Sequence, residues 1–590
     1  DGQLRQLMME TVDGEYQNFK AKGGAYTREK FFGKYPELKE KIASWSDEDV
    51  ARLNRGGHDP HKLYAAYHEA VNNAQGRPTV ILAKTVKGYG MGEAGEGQNI
   101  THQQKKMGEN ALKEFRDRFN IPIADDQIAA TPFYRPAEDS AEVRYLKKRR
   151  EALGGWLPQR RVENDRLEIP PLETFNRLLE GTGEREISTT MAFVQMLQVL
   201  CRDKTIGPRI VPIVPDEART FGMEGMFRQL GIYSVVGQLY EPQDKDQLAY
   251  YREDIKGQIL EEGITEAGAM SSWIAAGTSY ANHGVPLIPF FIFYSMFGFQ
   301  RIGDLCWAAG DMRTRGFLMG GTAGRTTLNG EGLQHEDGHS QLIAHTVPNC
   351  RAYDPAFAYE LAVIIQHGMQ AMYARGEDAY YYITVMNENY VHPAMPAGVE
   401  DGIVRGMYCL SDGLNSEARP GKLHVQLLGS GTILREVIAA AELLKKDWKV
   451  TSDVWSVTSF SQLARDGQDA ERWNLLHPGL HPDDKPRVSY VAQCLKGRKG
   501  PAIAATDYMK NYAGLIRPFI PMPYATLGTD GFGRSDTRAA LREFFEVDRR
   551  WITVRALKSL AEQGEIEHKQ VTQALRKYGL NPDKPNPLTV

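Results

Sequence analysis

A five-residue stretch, His335-Glu-Asp-Gly-His339, concentrates two imidazoles and two carboxylates. Such a set could bind a metal ion, but Gly338 disfavours the helix that would bring both histidines onto one face, so metal ligation is the less favoured interpretation. The preceding residues, 320–332, are rich in glycine and small polar side chains. A long polar loop that runs into a His/Asp turn is typical of an active-site rim.

Three further acidic residues could do chemistry. Glu266 lies among small residues on a predicted helix, 264–280, where a solvated carboxylate and a functional one are equally open interpretations. Asp216 and Glu217 come just after a predicted strand, 209–214. Functional residues of α/β proteins collect at the carboxyl ends of strands, although a helix N-cap explains this pair nearly as well.

Strands and helices that alternate along the chain must position these residues. This order predicts an α/β fold with three successive units: the end of a first α/β domain over 1–150, a linker and second domain over 151–405, and a C-terminal domain over 406–590. The predicted strands are 79–83, 209–214, 287–294, 379–385, 423–428, 451–457 and 502–506. The predicted helices include 61–73, 189–200, 264–280, 358–374, 433–446 and 486–495.

Composition excludes several classes of protein. The 590 residues carry 71 Lys and Arg against 75 Asp and Glu, a net charge of −4 that offers no basic field for nucleic acid or anionic lipid. The most apolar stretch, 285–299, contains two prolines and is shorter than the ~20 residues of a membrane span. Five scattered cysteines argue against a disulfide framework and favour a reducing cytoplasm or organelle matrix. Because the chain opens on Asp1 without an initiator Met, we expect its N-terminal part to be missing.

Six motifs in a fixed order carry a family resemblance. They are Lys84-Thr-Val-Lys-Gly-Tyr-Gly, Asp216-Glu-Ala-Arg-Thr-Phe-Gly, Gly257-Gln-Ile-Leu-Glu-Glu-Gly-Ile-Thr-Glu, Tyr294-Ser-Met-Phe-Gly-Phe-Gln-Arg, Gly332-Leu-Gln-His-Glu-Asp-Gly-His and Leu527-Gly-Thr-Asp-Gly-Phe-Gly-Arg-Ser-Asp. The chain resembles the thiamine-diphosphate enzymes of transketolase architecture. Within that group it is more closely similar to the homodimeric bacterial pyruvate dehydrogenases, the first components of the pyruvate dehydrogenase complex. The resemblance runs nearly end to end and implies successive three-layer α/β domains.

The resemblance implies roles for residues of the predicted second domain. Glu266 matches the glutamate whose carboxyl bonds a pyrimidine nitrogen of the coenzyme and favours its imino tautomer. Phe297 matches the aromatic residue that packs on the aminopyrimidine, and Tyr294 matches a tyrosine beside the reacting centre. His335 matches a histidine that faces the substrate, and Glu217 is expected to contact the cofactor or the subunit interface.

The resemblance also implies a mobile active-site loop near residues 96–107. His102 would face an incoming lipoyl group and manage protons during acyl transfer. Lys87, Glu96 and Lys105 would belong to the closed loop. The polar, glycine-rich composition favours mobility independently, while a solvated surface histidine remains the alternative for His102.

The implied activity is the oxidative decarboxylation of pyruvate with reductive acetylation of the lipoyl group of dihydrolipoyl acetyltransferase, which feeds acetyl-CoA synthesis. The implied cofactors are thiamine diphosphate and Mg²⁺. The family holds the metal with a Gly-Asp-Gly motif that this sequence lacks, so the ligands are expected in the missing N-terminal segment. The alternatives are another 2-oxo acid dehydrogenase, a transketolase, or a non-catalytic assembly subunit of the same fold.

Overall fold

The computed structural model describes residues 2–54, 56–156, 166–216, 218–412, 423–479 and 485–590. The chain divides into two compact units, Asp1–Trp156 and Leu157–Val590. The domain limits predicted from the sequence, near 150 and 405, stay predictions. Within the described ranges, no helix is long and apolar enough to cross a membrane.

The first unit is helical. Its helices are Gly2–Glu10, Asp13–Lys30, Pro36–Lys41, Asp47–Arg52, Pro60–Asn72, Glu109–Arg118 and Ala141–Ala152. A small core, which includes Leu7, Phe31 and Leu38, lies between the first four of these helices. Helix Asp13–Lys30 passes very close to Asp47, since a Cβ on Gly24 would lie 1.7 Å from the Asp47 carbonyl oxygen.

The prediction of a strand at 79–83 is wrong. These residues form no strand, and the side chains of Val80 and Leu82 are 81% and 92% exposed. An extended segment becomes a strand only when a neighbouring strand pairs with its backbone N–H and C=O groups. The described residues of this unit contain no strand that could do so.

The second unit contains a parallel six-stranded sheet in the order β5-β2-β6-β7-β9-β8. Its strands are β2 (Ile210–Val214), β5 (Leu260–Glu261), β6 (Ile288–Tyr294), β7 (Phe317–Gly321), β8 (Cys350–Tyr353) and β9 (Tyr380–Thr384). Two short pairs accompany it: β1 (Glu186–Ile187) with β10 (Tyr390–Val391), and β3 (Ile232–Tyr233) with β4 (Glu253–Asp254). The nearly continuous apolar runs of these strands follow from burial on both faces of a parallel sheet.

Helices connect and flank these strands. They are Asn176–Leu179, Thr189–Arg202, Phe227–Leu230, Glu266–Asn282, Gly298–Asp311, Ser340–Thr346, Ala358–Met369 and Glu400–Arg405. Local capping explains where two of them begin. The Ser188 hydroxyl accepts a hydrogen bond from the Met191 amide at 3.1 Å, and the Thr265 hydroxyl accepts one from the Gly268 amide at 3.2 Å.

A second sheet of five strands has the order β11-β13-β12-β14-β15, with β11 antiparallel at its edge. Its strands are β11 (Met407–Ser411), β12 (His424–Gly429), β13 (Thr451–Val457), β14 (Ala502–Ala505) and β15 (Tyr524–Leu527). The accompanying helices are Ile433–Leu443, Phe460–Leu476, Tyr490–Leu495, Lys510–Gly514, Arg538–Phe544, Arg549–Glu562 and His568–Lys577. The six strands predicted within the second unit are confirmed, each to within a residue.

The two sheets share a core. Ile383 of β9 and Leu427 of β12 belong to one continuous cluster of buried apolar residues. The buried carboxylate of Glu360 reinforces this junction, because it accepts hydrogen bonds from the Tyr408 hydroxyl at 2.7 Å and the Ser456 hydroxyl at 2.6 Å. The loops beyond both sheets are therefore placed relative to each other by a common packed interior.

Candidate active site

Glu266 is the first residue of helix Glu266–Asn282, which follows the capping Thr265. Its side chain is only 13% exposed. Oε1 accepts a hydrogen bond from Nη1 of Arg301 at 3.0 Å. A carboxylate is favoured at this end of a helix, where unpaired amide groups carry partial positive charge. The structure therefore places Glu266 as an oriented, largely buried carboxylate rather than a solvated one.

Three aromatic rings that the sequence analysis singled out lie together. Tyr294 ends β6, and Phe297 ends the single 3₁₀ turn that follows it. The ring centroid of His335 lies 4.9 Å from that of Tyr294 and 5.2 Å from that of Phe297. The Tyr294 and Phe297 rings are themselves 5.8 Å apart in an edge-to-face arrangement. Tyr294, Phe297 and His335 thus form one aromatic cluster at the carboxyl edge of the sheet.

Arg301 joins Glu266 to this cluster. Its guanidinium carbon lies 4.0 Å from the centroid of the Phe297 ring, while Nη1 bonds Glu266. The sequence analysis quoted Arg301 within a motif but gave it no role. The available signal was its position four residues after Phe297, which lets the two side chains meet on one helical turn.

The stretch from His335 to His339 is a turn that caps a helix. Asp337 Oδ1 accepts hydrogen bonds from the amides of His339 at 3.0 Å and Ser340 at 2.9 Å, so helix Ser340–Thr346 begins there. His335 Nδ1 lies 3.4 Å from a carboxylate oxygen of Glu331. In the part of the chain that the structure describes, no group of three or more His, Cys, Asp or Glu side chains could hold a metal ion.

Acidic side chains gather at and just past the ends of β2 and β5. Burial raises the pKa of Glu261 to about 7, and the negative charge of Asp216 adds to the effect. Nearby, the Tyr251 hydroxyl donates to Glu253 at 3.3 Å. Asp216 thus lies near the edge that carries Tyr294, whereas Glu217 lies outside the described residues and its expected cofactor contact stays a prediction.

Residues of the predicted mobile loop belong to the first unit. His102 ends the 3₁₀ turn Asn99–His102 and is exposed, as are Lys87 and Lys105. Glu96 is instead buried, and it accepts hydrogen bonds from the Gly90 amide at 3.1 Å and from Arg118 at 2.6 Å.

Charge pairing explains how Glu96 is held. Lys20 Nζ lies 3.2 Å from its carboxylate. Burial acts to raise the pKa of Glu96, but the hydrogen bonds and charges of Arg118 and Lys20 outweigh it and hold that pKa below its usual value. Glu96 therefore anchors the start of the segment that carries His102. The role expected for His102 in acyl transfer stays a prediction.

Comparison with known proteins decides the family. A model described as the pyruvate dehydrogenase E1 component middle domain matches residues 167–393, and a transketolase-like C-terminal domain model matches 406–548. The chain is 64% identical over 588 residues to the pyruvate dehydrogenase E1 component of Pseudomonas aeruginosa, covering 100% of this chain and 66% of that protein. The chain belongs to the pyruvate dehydrogenase E1 family.

Other members of the family are nearly as similar. The E1 component of Cupriavidus necator is 61% identical over 100% of this chain, and that of Escherichia coli is 57% identical over 99% of it. The chain spans 65% of the length of each of these two proteins. Membership of the family implies dependence on thiamine diphosphate.

Solved structures support the α/β fold. A transketolase from Campylobacter jejuni matches with a TM-score of 0.52 at 15% identity, covering 89% of this chain and 66% of its own. A transketolase from Pichia stipitis matches with a TM-score of 0.56 at 12% identity, covering 86% of this chain and 66% of its own. At this level of identity the likeness concerns the fold, which is that of the transketolase-like enzymes.

Proposed function

We propose that the protein acts as the first component of a pyruvate dehydrogenase complex. It would oxidatively decarboxylate pyruvate with thiamine diphosphate and reductively acetylate the lipoyl group of dihydrolipoyl acetyltransferase, feeding acetyl-CoA synthesis. The observation that carries the proposal is the arrangement of Glu266, Arg301 and the aromatic cluster at the carboxyl edge of the parallel sheet. This arrangement occurs in a chain that belongs to the E1 family.

Glu266 and Phe297 fit the aminopyrimidine ring of the coenzyme. A carboxyl group can bond a ring nitrogen while an aromatic side chain packs on the ring face. Arg301 bonds Oε1 of Glu266 at 3.0 Å, which orients the carboxylate. When bound, the coenzyme supplies the sink for the electrons left behind when carbon dioxide departs. Glu266 would exchange a proton with the ring nitrogen, and a carboxyl oxygen of Glu266 would hold this proton.

The remaining cluster side chains would handle pyruvate. His335 would donate a ring N–H to the carboxylate or keto oxygen of pyruvate, from its place 4.9 Å from Tyr294. Tyr294 and Phe297 would keep water from the reacting carbon, because their rings cover the site with apolar surface. Mg²⁺ would accompany the diphosphate, and since the described residues offer no ligand set for it, we assign it none.

Partners and location extend the same proposal. The working protein would be a homodimer in the cytoplasm of a bacterium. A lipoyl domain of the acetyltransferase would approach the His102 segment, and His102 would act as its acid/base partner. Lys87 and Lys105, both exposed, would belong to the closed form of that segment, with Glu96 as its anchor. The transketolase alternative rests on the fold alone.

Substrate choice by the full-length protein tests the proposal. Purified protein with thiamine diphosphate and Mg²⁺ is mixed with pyruvate, 2-oxobutyrate, a branched-chain 2-oxo acid or a sugar phosphate, and reduction of a dye acceptor is followed. We expect pyruvate to give the highest kcat/KM. Preference for a branched-chain acid would make the protein a sister 2-oxo acid dehydrogenase, and the absence of dye reduction with every 2-oxo acid would refute the proposal.

A pair of variants ties the activity to the site. Glu266→Gln should remove the dye-linked activity while coenzyme binding, measured by calorimetry, is largely retained. Glu471→Gln, which changes an exposed glutamate on helix Phe460–Leu476 in the same way, should leave the activity unchanged. Equal activities of the two variants would mean that Glu266 has no part in catalysis.

A further inference from the structure

The motif that follows β15, Leu527-Gly-Thr-Asp-Gly-Phe-Gly-Arg-Ser-Asp, packs against the turn that carries His335. A Cβ on Gly533 would lie 2.3 Å from the Glu336 Cβ and 3.2 Å from the Leu333 carbonyl oxygen. The Gly330 amide donates to the Asp536 carbonyl oxygen at 3.1 Å. A loop of the five-stranded sheet therefore touches the active-site turn of the six-stranded sheet without room for one more methyl group.

Glu336 is the side chain at this contact. It is 1% exposed, and among the described residues neither of its carboxyl oxygens has a hydrogen-bond partner. His335 precedes it directly, and the His335 ring lies in the aromatic cluster. Because a planar peptide bond joins the two residues, immobilising Glu336 also limits how the backbone that carries the His335 ring can move.

A second buried group lies beneath the same turn. Arg325 is buried, and a Cβ on Gly338 would lie 2.3 Å from its guanidinium carbon. Its Nη1 donates to the Thr529 carbonyl oxygen, within the motif. The Met509 amide donates to the Gly338 carbonyl oxygen at 2.8 Å. Backbone and side-chain contacts from the five-stranded half thus hold both ends of the turn.

The charges around Glu336 suit an uncharged carboxyl group. The groups that face it are Arg325, Asp507 and Glu331. Burial raises the pKa of Glu336 to about 9, and the charge of Asp507 adds to this, although Arg325 acts in the opposite direction. Glu336 is therefore protonated near neutral pH. It contributes the shape of its side chain to the turn and no charge.

We propose that Glu336 is a positioning residue: wedged against Gly533, its side chain holds the turn so that the His335 ring faces the aromatic cluster. The motif after β15 is the surface that makes this wedge possible. The functional part of this inference rests on the proposed role of His335 toward pyruvate. The position of the His335 ring beside Tyr294 and Phe297 can be tested whatever that role is.

Three variants of the full-length protein test it. Gly533→Ala drives a methyl group into Glu336, Glu336→Ala removes the wedge, and Glu336→Gln keeps its shape without a charge. Since displacements near 1 Å can cost about 10²-fold in rate, we expect Gly533→Ala and Glu336→Ala to lower kcat/KM for pyruvate by about that factor, mainly through KM. Glu336→Gln should keep the wild-type kcat/KM, because the amide has nearly the shape of the carboxyl group. Gly514→Ala is the matched control, because a Cβ there meets nothing within 4 Å.

Crystal structures of the same variants supply a readout that needs no activity. We expect the His335 ring to leave its place beside Tyr294 and Phe297 in Gly533→Ala and to keep it in Glu336→Gln. An unmoved His335 ring or a wild-type KM in Gly533→Ala would overturn the positioning role. If Gly533→Ala and Glu336→Ala both fail to fold, a loss of kcat/KM in Glu336→Gln would overturn it as well. A wild-type protein that does not turn over pyruvate would refute the proposed function instead, and the ring positions would still decide this inference.

Discussion

Replacing the Glu336 side chain with that of glutamine should make the protein less sensitive to rising pH. The folded state keeps this carboxyl group protonated up to about pH 9, because burial and Asp507 raise its pKa. In the unfolded chain the same group loses its proton at about pH 4.3. Between these two values the folded state binds the extra proton, so stability falls as pH rises. The amide that replaces the carboxyl group in Glu336→Gln does not titrate, and the variant lacks this loss.

The size of the effect follows from the linkage. One proton contributes about 1.4 kcal/mol per pH unit, so from about pH 5.5 to about pH 7.5 the variant should gain at most about 2.7 kcal/mol on the wild type. Any constant cost of placing an amide in the site cancels, because only the change with pH is compared. The measurement is urea unfolding followed by tryptophan fluorescence at both pH values.

The control is Glu471→Gln, whose exposed side chain should give no pH-dependent difference. A Glu336→Gln variant that tracks the wild type across this range would show that the carboxyl group is already ionised in the folded protein. That result would refute the conclusion that the buried Glu336 carboxyl group is uncharged near neutral pH. A free energy of unfolding of Glu336→Gln that falls relative to the wild type as pH rises would contradict the sign of the argument.

Glu266→Gln should slow pyruvate decarboxylation by about 10² to 10⁴, measured as single turnovers with coenzyme bound, since it removes a proton-transfer partner. His102→Ala should retain much of the dye-linked activity and lose far more of the lipoyl-domain acetylation; equal losses in the two assays would contradict its assignment to the second half-reaction. Gly277→Ala should lower the midpoint of urea unfolding by an amount worth about 1–3 kcal/mol, because its Cβ would lie 2.4 Å from a Thr314 methyl carbon. Arg118→Ala should speed limited proteolysis between residues 87 and 105, since Glu96 loses its 2.6 Å partner; an unchanged cleavage rate would show that this ion pair does not hold the segment.

Several features of the second unit could be predicted from local sequence. The apolar run of β6 and the capped start of helix Glu266–Asn282 depend on neighbouring residues, so their limits were predictable to within one or two positions. The resemblance assigned Tyr294, Phe297 and His335 to one site, and their three rings do lie together, while their roles toward coenzyme and substrate stay predictions.

The segment 79–83 shows where local patterns fail. Its residues have the composition of a buried strand, yet Val80 and Leu82 are exposed and no strand of the described first unit pairs with them. Composition records what a segment can form, whereas hydrogen bonding by a neighbour decides what it does form. Glu96 is a second case, since its burial depends on Lys20 and Arg118, which are distant in sequence.

The amino-acid sequence was sufficient to infer the alternation of strands and helices, the family and the aromatic residues of the candidate site, because each depends on patterns within short windows or on ordered motifs. Two contacts became evident from the folded chain alone: Arg301 bonds Glu266, and Glu336 meets Gly533. Those contacts join residues from different helices, turns and sheets, and no periodicity along the chain records them. Arg301 meets Glu266 because helices Glu266–Asn282 and Gly298–Asp311 pack side by side. Glu336 meets Gly533 because a shared hydrophobic core brings the two sheets together, and the missing side chain of Gly533 leaves space for the buried carboxyl group.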